Sequence, residues 1–499
     1  MILSRYTTKN ISGNAVSVPD ATLFELPEKV LQFGTGILLR GLTDYFIDKA
    51  NRQGIFNGRI VVVKSTAQGD AAALFEKQDG LYTQCIRGLE GGEVIEENRI
   101  NASISRVLRA GEEWKEVLEC AHNPNLQIIV SNTSEVGIQL VNDDIRKYPP
   151  KSYPGKLLAF LYERYKAFAG STQSGMLIVL TELIPDNGDK LQAIIFELAH
   201  LNGLEDEFID WLEAHNRFCN SLIDRIVTEK PETLSQEELE DALGYSDQLL
   251  IVSEAHCFWA IEGDEEVKRV LSFAQADGSI LIEPDITLYR ELKLRLLNAT
   301  HTFTCGLAYL VGNETVKQSM DNKGLSAFIT GLMKEEIAPA VPYPVSPDVV
   351  LQYAGNVLER FRNPFLEHQW LSISQNYSTK MRTRCVPLLL RHYELQNSVP
   401  ERMALGFAAY LCFTRPVIKK NNGFYGESNG DLYLLKDDAS AVFYQRWAQL
   451  STSDLVNDVL RDKDFWEADL SELPGFAEAV EAKLTLLLNG AFEEALTIN

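Results

Sequence analysis

A chain of 499 residues with 45% hydrophobic and 23% charged residues is folded rather than disordered and too long for one ordinary core, so two or three domains are expected. Its net charge of −23, spread along the chain, repels nucleic acid and anionic membranes; a small molecule is the expected partner, and an anionic one would need local cations. There is no apolar run of membrane-spanning length, no signal-peptide pattern in Met1-Ile2-Leu3-Ser4-Arg5, and no C-x-x-C among seven scattered cysteines, so a cytoplasmic protein without disulfides or metal is expected.

In chain order, residues 29–33 (KVLQF) read as a short apolar strand, Gly34-Thr35-Gly36 as a turn, and 37 to about 53 as a helix with Leu38, Tyr45, Phe46 and Ile47 as apolar positions. Residues 59–63 (RIVVV) form a β-branched run of the kind buried on both faces in a parallel sheet, completing a βαβ unit. Residues 80–108 read as an antiparallel insertion, 81–86 and 93–108 around a Gly-rich turn. The α/β rhythm resumes with helix 112–120, strand 126–130, helix 156–168, strand 176–180 and helices near 190–201 and 204–218, and 249–252 is strand-like. From Pro284 onward helical patterns dominate, at 286–311, 349–362, 380–395, 401–413 and 476–488, with Pro-rich 337–347 as a loop among them. The expected fold class is α/β: a Rossmann-like parallel-sheet domain with an antiparallel insertion, residues 1–278, followed by an all-helical domain, residues 279–499.

Four stretches are candidates for chemistry. Gly34-x-Gly36 between a strand and a helix permits a tight turn and lets a dinucleotide pyrophosphate approach the backbone, making Phe33, Gly34, Thr35, Gly36 and Ile37 candidate cofactor contacts. Leu39 stands where the third glycine of the usual fingerprint would fall, and the same turn would serve as a plain βα connection. The second strand ends in Lys64-Ser65-Thr66 and not in the acid that holds an NAD ribose; Lys64 is either a phosphate contact or a solvated strand end, and NADP stays open. Ser131-Asn132-Thr133-Ser134-Glu135-Val136-Gly137 follows an apolar strand, where Asn132, Thr133 and Glu135 suit a ribose or polyol, or else cap a helix. In Glu291-Leu-Lys293-Leu-Arg-Leu-Leu-Asn298-Ala-Thr-His301, the residues 293, 298 and 301 fall at about 0°, 140° and 80° around an α-helix and share one broad, partly apolar face. Such a face desolvates an ammonium and brings it toward useful proton exchange, while an amide and an imidazole beside it can hold substrate oxygens. A snorkelling Lys, a surface Asn and a core His would give the same pattern.

The K-x4-N-x2-H spacing of Lys293, Asn298 and His301 resembles the signature of the mannitol dehydrogenase family, the metal-independent long-chain polyol dehydrogenases. VLQFGTG at 30–36, SNTSEVG at 131–137, TELIPDNGD at 181–189, SLIDRIVT at 221–228 and RFRNPFLEHQW at 360–370 follow in family order, covering nearly the whole chain. Within the family the sequence is nearest the hexuronate-reducing branch: where polyol and mannonate members carry C-D-N-x-P, it has Thr181-Glu182-Leu183-Ile184-Pro185, so Leu183 replaces an oxyanion-binding Asn. The resemblance implies an NAD cofactor and hydride transfer to a ketone. It implies Lys293 as general acid/base, Asn298 polarising the carbonyl, His301 holding a neighbouring hydroxyl, and Asp224 near the substrate. A hexuronate also carries a carboxylate, for which Lys380, in Ser374-x-Asn376-x-x-x-Lys380, is the first candidate, with Arg360 and Arg384 next. The alternatives are a fructuronate/mannonate or ketose/polyol enzyme of the same family, or an NAD-binding regulator without turnover; a monomer or small homo-oligomer is expected.

Overall fold

The β-branched runs of the first half assemble one parallel sheet. In chain order the strands are β1 (Glu28–Phe33), β2 (Arg59–Lys64), β3 (Tyr82–Glu90), β4 (Glu93–Asn101), β5 (Ile104–Arg109), β6 (Ile128–Ser131), β7 (Leu177–Leu180) and β8 (Arg217–Cys219). Six of them pair all-parallel in the order β5-β2-β1-β6-β7-β8. Counted by appearance within this sheet the order is 3-2-1-4-5-6, that of a doubly wound dinucleotide-binding fold, and it reverses between β1 and β6. In this computed structural model the described residues are 1–11, 15–65, 71–133, 137–229, 236–420 and 423–497, and the chain divides into two units, Met1–Ile286 and Thr287–Asn499.

Side chains alternate between the faces of the six-stranded sheet, as a period of two requires. Val30, Ile60, Val62, Ile128 and Val130 pack on one face with Phe46 and Ile47 of the helix Thr43–Arg52. Leu31, Phe33, Val61, Val63 and Ile129 pack on the other with the helices Tyr153–Ala167, Asn187–Leu201 and Asp206–His215. The expected single helix after β1 is two, Ile37–Gly41 and Thr43–Arg52, broken at Leu42 (φ −121°, ψ −81°).

The antiparallel insertion is the hairpin β3–β4 alone; β5, expected within it, pairs with β2 as the edge of the main sheet. The hairpin joins β10 (Val227–Thr228) and β11 (Ile251–Glu254), and β9 (Ser221–Asp224), β12 (Phe258–Glu262) and β13 (Ile280–Glu283) form a third sheet. Asp224-Arg225-Ile226 therefore lies at the end of β9.

Among the described residues the second unit is helical apart from a three-stranded antiparallel sheet that the sequence pattern did not suggest, β14 (Ile418–Lys420), β15 (Gly423–Ser428) and β16 (Asp431–Leu435). At its centre the helices Thr300–Leu310 and Glu401–Phe413 cross at facing glycines. A Cβ on Gly306 would stand 2.9 Å from the Ala409 carbonyl oxygen, and one on Gly406 2.8 Å from that of Phe303. No helix among the described residues is long and apolar enough to cross a membrane.

Candidate active site

In the first unit, the candidate cofactor residues meet where the strand order reverses. Gly34 has φ +130°, and a Cβ there would sit 3.0 Å from Leu39 Cδ1 and 3.1 Å from the Asn132 carbonyl oxygen, so glycine is required. Leu39, standing where a third glycine was sought, fills the underside of this turn. The Gly34 amide donates to the Val63 carbonyl (3.1 Å) and the Asn132 amide to that of Phe33 (3.2 Å), stitching β1 to its neighbours on both sides. Gly36 begins the helix Ile37–Gly41 and is exposed; a Cβ there would meet no atom within 4 Å, which is open space of the kind a pyrophosphate needs. Thr35 and Ile37 are half-buried beside it, and Lys64 is buried at the end of β2.

The Asn132 amide group is spent inside the protein, donating to the Thr181 carbonyl and hydroxyl, both at 3.0 Å. Glu182, absent from the sequence-based candidates, is buried and accepts from the Thr133 amide (2.8 Å) and the Ser131 hydroxyl (3.2 Å). Burial raises its carboxyl above the usual range. It fixes the loop after β6 as far as Thr133; Glu135 lies outside the described residues. Leu183, in place of the family's Asn, is 62% exposed. Asp224 is buried at the end of β9, with His256 Nε2 3.8 Å from its carboxylate.

In the second unit, Lys293, Asn298 and His301 occupy one continuous helical run, but its winding is not uniform. Thr287–Leu292 is α-helical, Lys293–Ala299 is a π-helix, and Thr300–Leu310 is α-helical again. A π-turn bonds i to i+5, so Asn298 follows Lys293 by one turn and the α-helical separation of about 140° is reduced. Thr302 returns its hydroxyl to the Asn298 carbonyl at 2.7 Å.

Another π segment, Met381–Cys385, follows directly after Lys380 and contains Arg384. Arg295 ties the two together. Its Nε meets the Glu291 carboxylate at 3.0 Å, and its Nη1 donates to the carbonyls of Thr383 (3.0 Å) and Arg384 (2.9 Å). Lys380 Nζ donates to the Ile373 carbonyl at 2.7 Å, and burial followed by the Arg384 charge lowers its pKa. Burial likewise lowers that of Arg384, whose guanidinium reaches toward the Thr302 hydroxyl at 3.5 Å.

His301 is buried in a cage of rings. It stacks on Phe361 (4.3 Å between centroids, 13° between planes) and stands edge-on to His368 (5.3 Å, 89°) and Trp370 (5.7 Å, 87°). Burial, the largest cause, lowers the pKa of His368, and the charges of Arg360 and Lys380 lower it further. The candidates Lys293, Asn298 and His301 thus share one helical run, and Lys380, Arg384 and Arg360 gather around it through Arg295, Thr302 and His368. Arg295 and His368 were not singled out from sequence: the first lies within the quoted 291–301 helix and the second within the quoted 360–370 stretch, with no role given to either.

The mannitol dehydrogenase Rossmann domain model matches residues 28–273, and the mannitol dehydrogenase C-terminal domain model matches residues 285–488. An altronate oxidoreductase of Halalkalibacterium halodurans is 35% identical over 481 residues, spanning 95% of this chain and 93% of the relative. One from Escherichia coli is 36% identical over 481 residues, covering 95% and 97%. Among solved structures, mannitol 2-dehydrogenase of Pseudomonas fluorescens, in ternary complex with NAD and D-mannitol, aligns over 99% of both chains with TM-score 0.71 at 21% identity. A substrate-free D-sorbitol dehydrogenase aligns over 99% and 100% with TM-score 0.77 at 19% identity. Two domain matches spanning most of the chain, together with relatives above one-third identity along nearly its full length, place this protein in the mannitol dehydrogenase family.

Proposed function

We propose that this protein is an NAD-dependent oxidoreductase that interconverts a hexuronate ketone and its alcohol, D-tagaturonate and D-altronate, with residues 1–278 holding the dinucleotide and 279–499 supplying catalysis and substrate binding. The observation that carries the acidic substrate is the gathering of Arg360, Lys380 and Arg384 around His301 and the Lys293 helix, in a chain whose net charge is −23. Such a field disfavours an anion unless cations are assembled for it. The full-length relatives named altronate oxidoreductase support the same reading.

The residues at the strand-order reversal fit a dinucleotide: Gly34 keeps the backbone clear of side chain and Gly36 leaves space at a helix start. When bound, NADH supplies a hydride to the carbonyl carbon. As the carbonyl π pair becomes a lone pair on oxygen, the Lys293 ammonium gives that oxygen a proton, leaving a neutral amine that regains one from solvent. The Asn298 amide donates to the same oxygen as its charge grows, and the π-turn sets lysine and amide one turn apart for that purpose. His301, fixed by Phe361 and Trp370, holds an adjacent hydroxyl. Lys293→Ala tests the assignment. Turnover falls by roughly two to four orders of magnitude, the scale of a positioned acid–base group, while NADH binding is nearly unchanged. Near-normal turnover would remove Lys293 from the chemistry.

A further inference from the structure

His368 is an imidazole held in place with no internal task. The backbone on either side of it is fastened to the segment Glu314–Val316: the Val316 amide donates to the His368 carbonyl (3.0 Å), the Trp370 amide to that of Glu314 (2.9 Å), and Thr315 bridges Gln369. Trp370 Nε1 donates to the Ser319 hydroxyl at 2.9 Å, locking the far side. The His368 ring is half-buried, edge-on to His301. Among the described residues neither of its ring nitrogens has a hydrogen-bond partner in the protein. Packing against His301 would be served by a phenyl ring, and no acid among its electrostatic partners calls for a histidine: those partners are the cations Arg360 and Lys380.

We propose that His368 is a specificity-determining residue that donates a hydrogen bond to the substrate's carboxylate between Arg360 and Lys380; this rests on the hexuronate reading above. The groups facing the ring are Arg360 from the helix Pro347–Phe361, Lys380 from Tyr377–Lys380, and His301 from Thr300–Leu310. Before substrate arrives, burial and the charge of the two cations keep the imidazole neutral. An arriving carboxylate offsets the two cations, which makes the imidazole a better base and its N–H a charge-assisted donor once protonated. A neutral ketose brings no such compensation. The cluster therefore discriminates by charge, and an Arg–Lys pair without the histidine would do so less.

The test is steady-state kinetics of the full-length enzyme with NADH on tagaturonate and on fructose, for wild type, His368→Gln and His368→Phe, with thermal unfolding recorded for each. The expected result is a KM for tagaturonate raised about tenfold or more in both variants, the scale of a charge-assisted hydrogen bond, with kcat within about twofold and fructose kinetics unchanged. His368→Phe keeps the ring packing, so if His368→Gln fails to fold the phenylalanine variant decides. Wild-type kinetics in a folded variant, or equal losses on both substrates, would make His368 a packing residue and overturn the inference alone. A wild type that does not reduce tagaturonate overturns the hexuronate reading and this inference with it.

Discussion

Replacing Arg295 by methionine removes the tie between the π segments Lys293–Ala299 and Met381–Cys385 while keeping an unbranched side chain in a buried site. The Glu291 carboxylate loses its partner at 3.0 Å, and two backbone carbonyls lose a charged donor. Breaking a buried ion pair by removing one member costs about 3–5 kcal/mol. Glu291 keeps partial access to water, its side chain being 19% exposed, which sets the loss near the lower end, about 3 kcal/mol. The catalytic effect is separate. If the segment bearing Lys380 and Arg384 shifts by about 1 Å relative to Lys293, kcat/KM falls about 100-fold. Arg295→Lys keeps the charge facing Glu291 but lacks the planar fork that serves two carbonyls, so it recovers more stability than activity. Denaturant unfolding and initial rates of NADH oxidation on the three proteins separate the two effects. A destabilised Arg295→Met enzyme with kcat/KM within about twofold of wild type would refute the positioning role. Unchanged stability would refute the buried ion pair.

Three further outcomes follow from the same geometry. Lys380→Met raises KM for tagaturonate about ten- to a hundredfold, with a much smaller change for fructose; one of its donors is spent on the Ile373 carbonyl, leaving two for a carboxylate, and equal losses on both substrates would make it structural. Exhaustive chelation leaves activity intact, because ammonium and amide donors serve the oxyanion; loss that zinc restores would contradict this. In the first unit, burial raises the Asp44 carboxyl from 3.8 to about 8, so the folded protein holds a proton that the unfolded chain releases. That contribution is full below about pH 4 and is lost as pH rises to about 8, so between pH 4 and 7 the wild type loses about 4 kcal/mol relative to Asp44→Asn; parallel pH–stability curves would refute it.

Much of the fold was legible because it rests on local pattern. The β-branched run at β2 and the helices Glu401–Phe413 and Phe476–Leu488 declare themselves by burial on both faces or by period. What escaped depends on distant partners. β5 continues the hairpin's polar–apolar alternation and becomes an edge of the main sheet only because β2 lies beside it. The exposed strand Ile418–Lys420 has no inward face to mark it. At the candidate site, the K-x4-N-x2-H spacing is written in the chain, but the π winding from Lys293 to Ala299 is not, since it depends on the tertiary setting of that helix. His368 and Arg295 draw their significance from Arg360, Lys380 and the Thr383 and Arg384 carbonyls, which are near them only after folding.

The central claim, a hexuronate ketone as substrate, is tested most directly by kcat/KM of the purified wild-type protein for tagaturonate, fructuronate and fructose, each with NADH and NADPH. The account predicts that tagaturonate with NADH exceeds fructose by about a hundredfold or more, the upper range for one charge-assisted hydrogen bond to a carboxylate. Fructose reduced as well as tagaturonate, or no reduction of any of the three ketones, would contradict it.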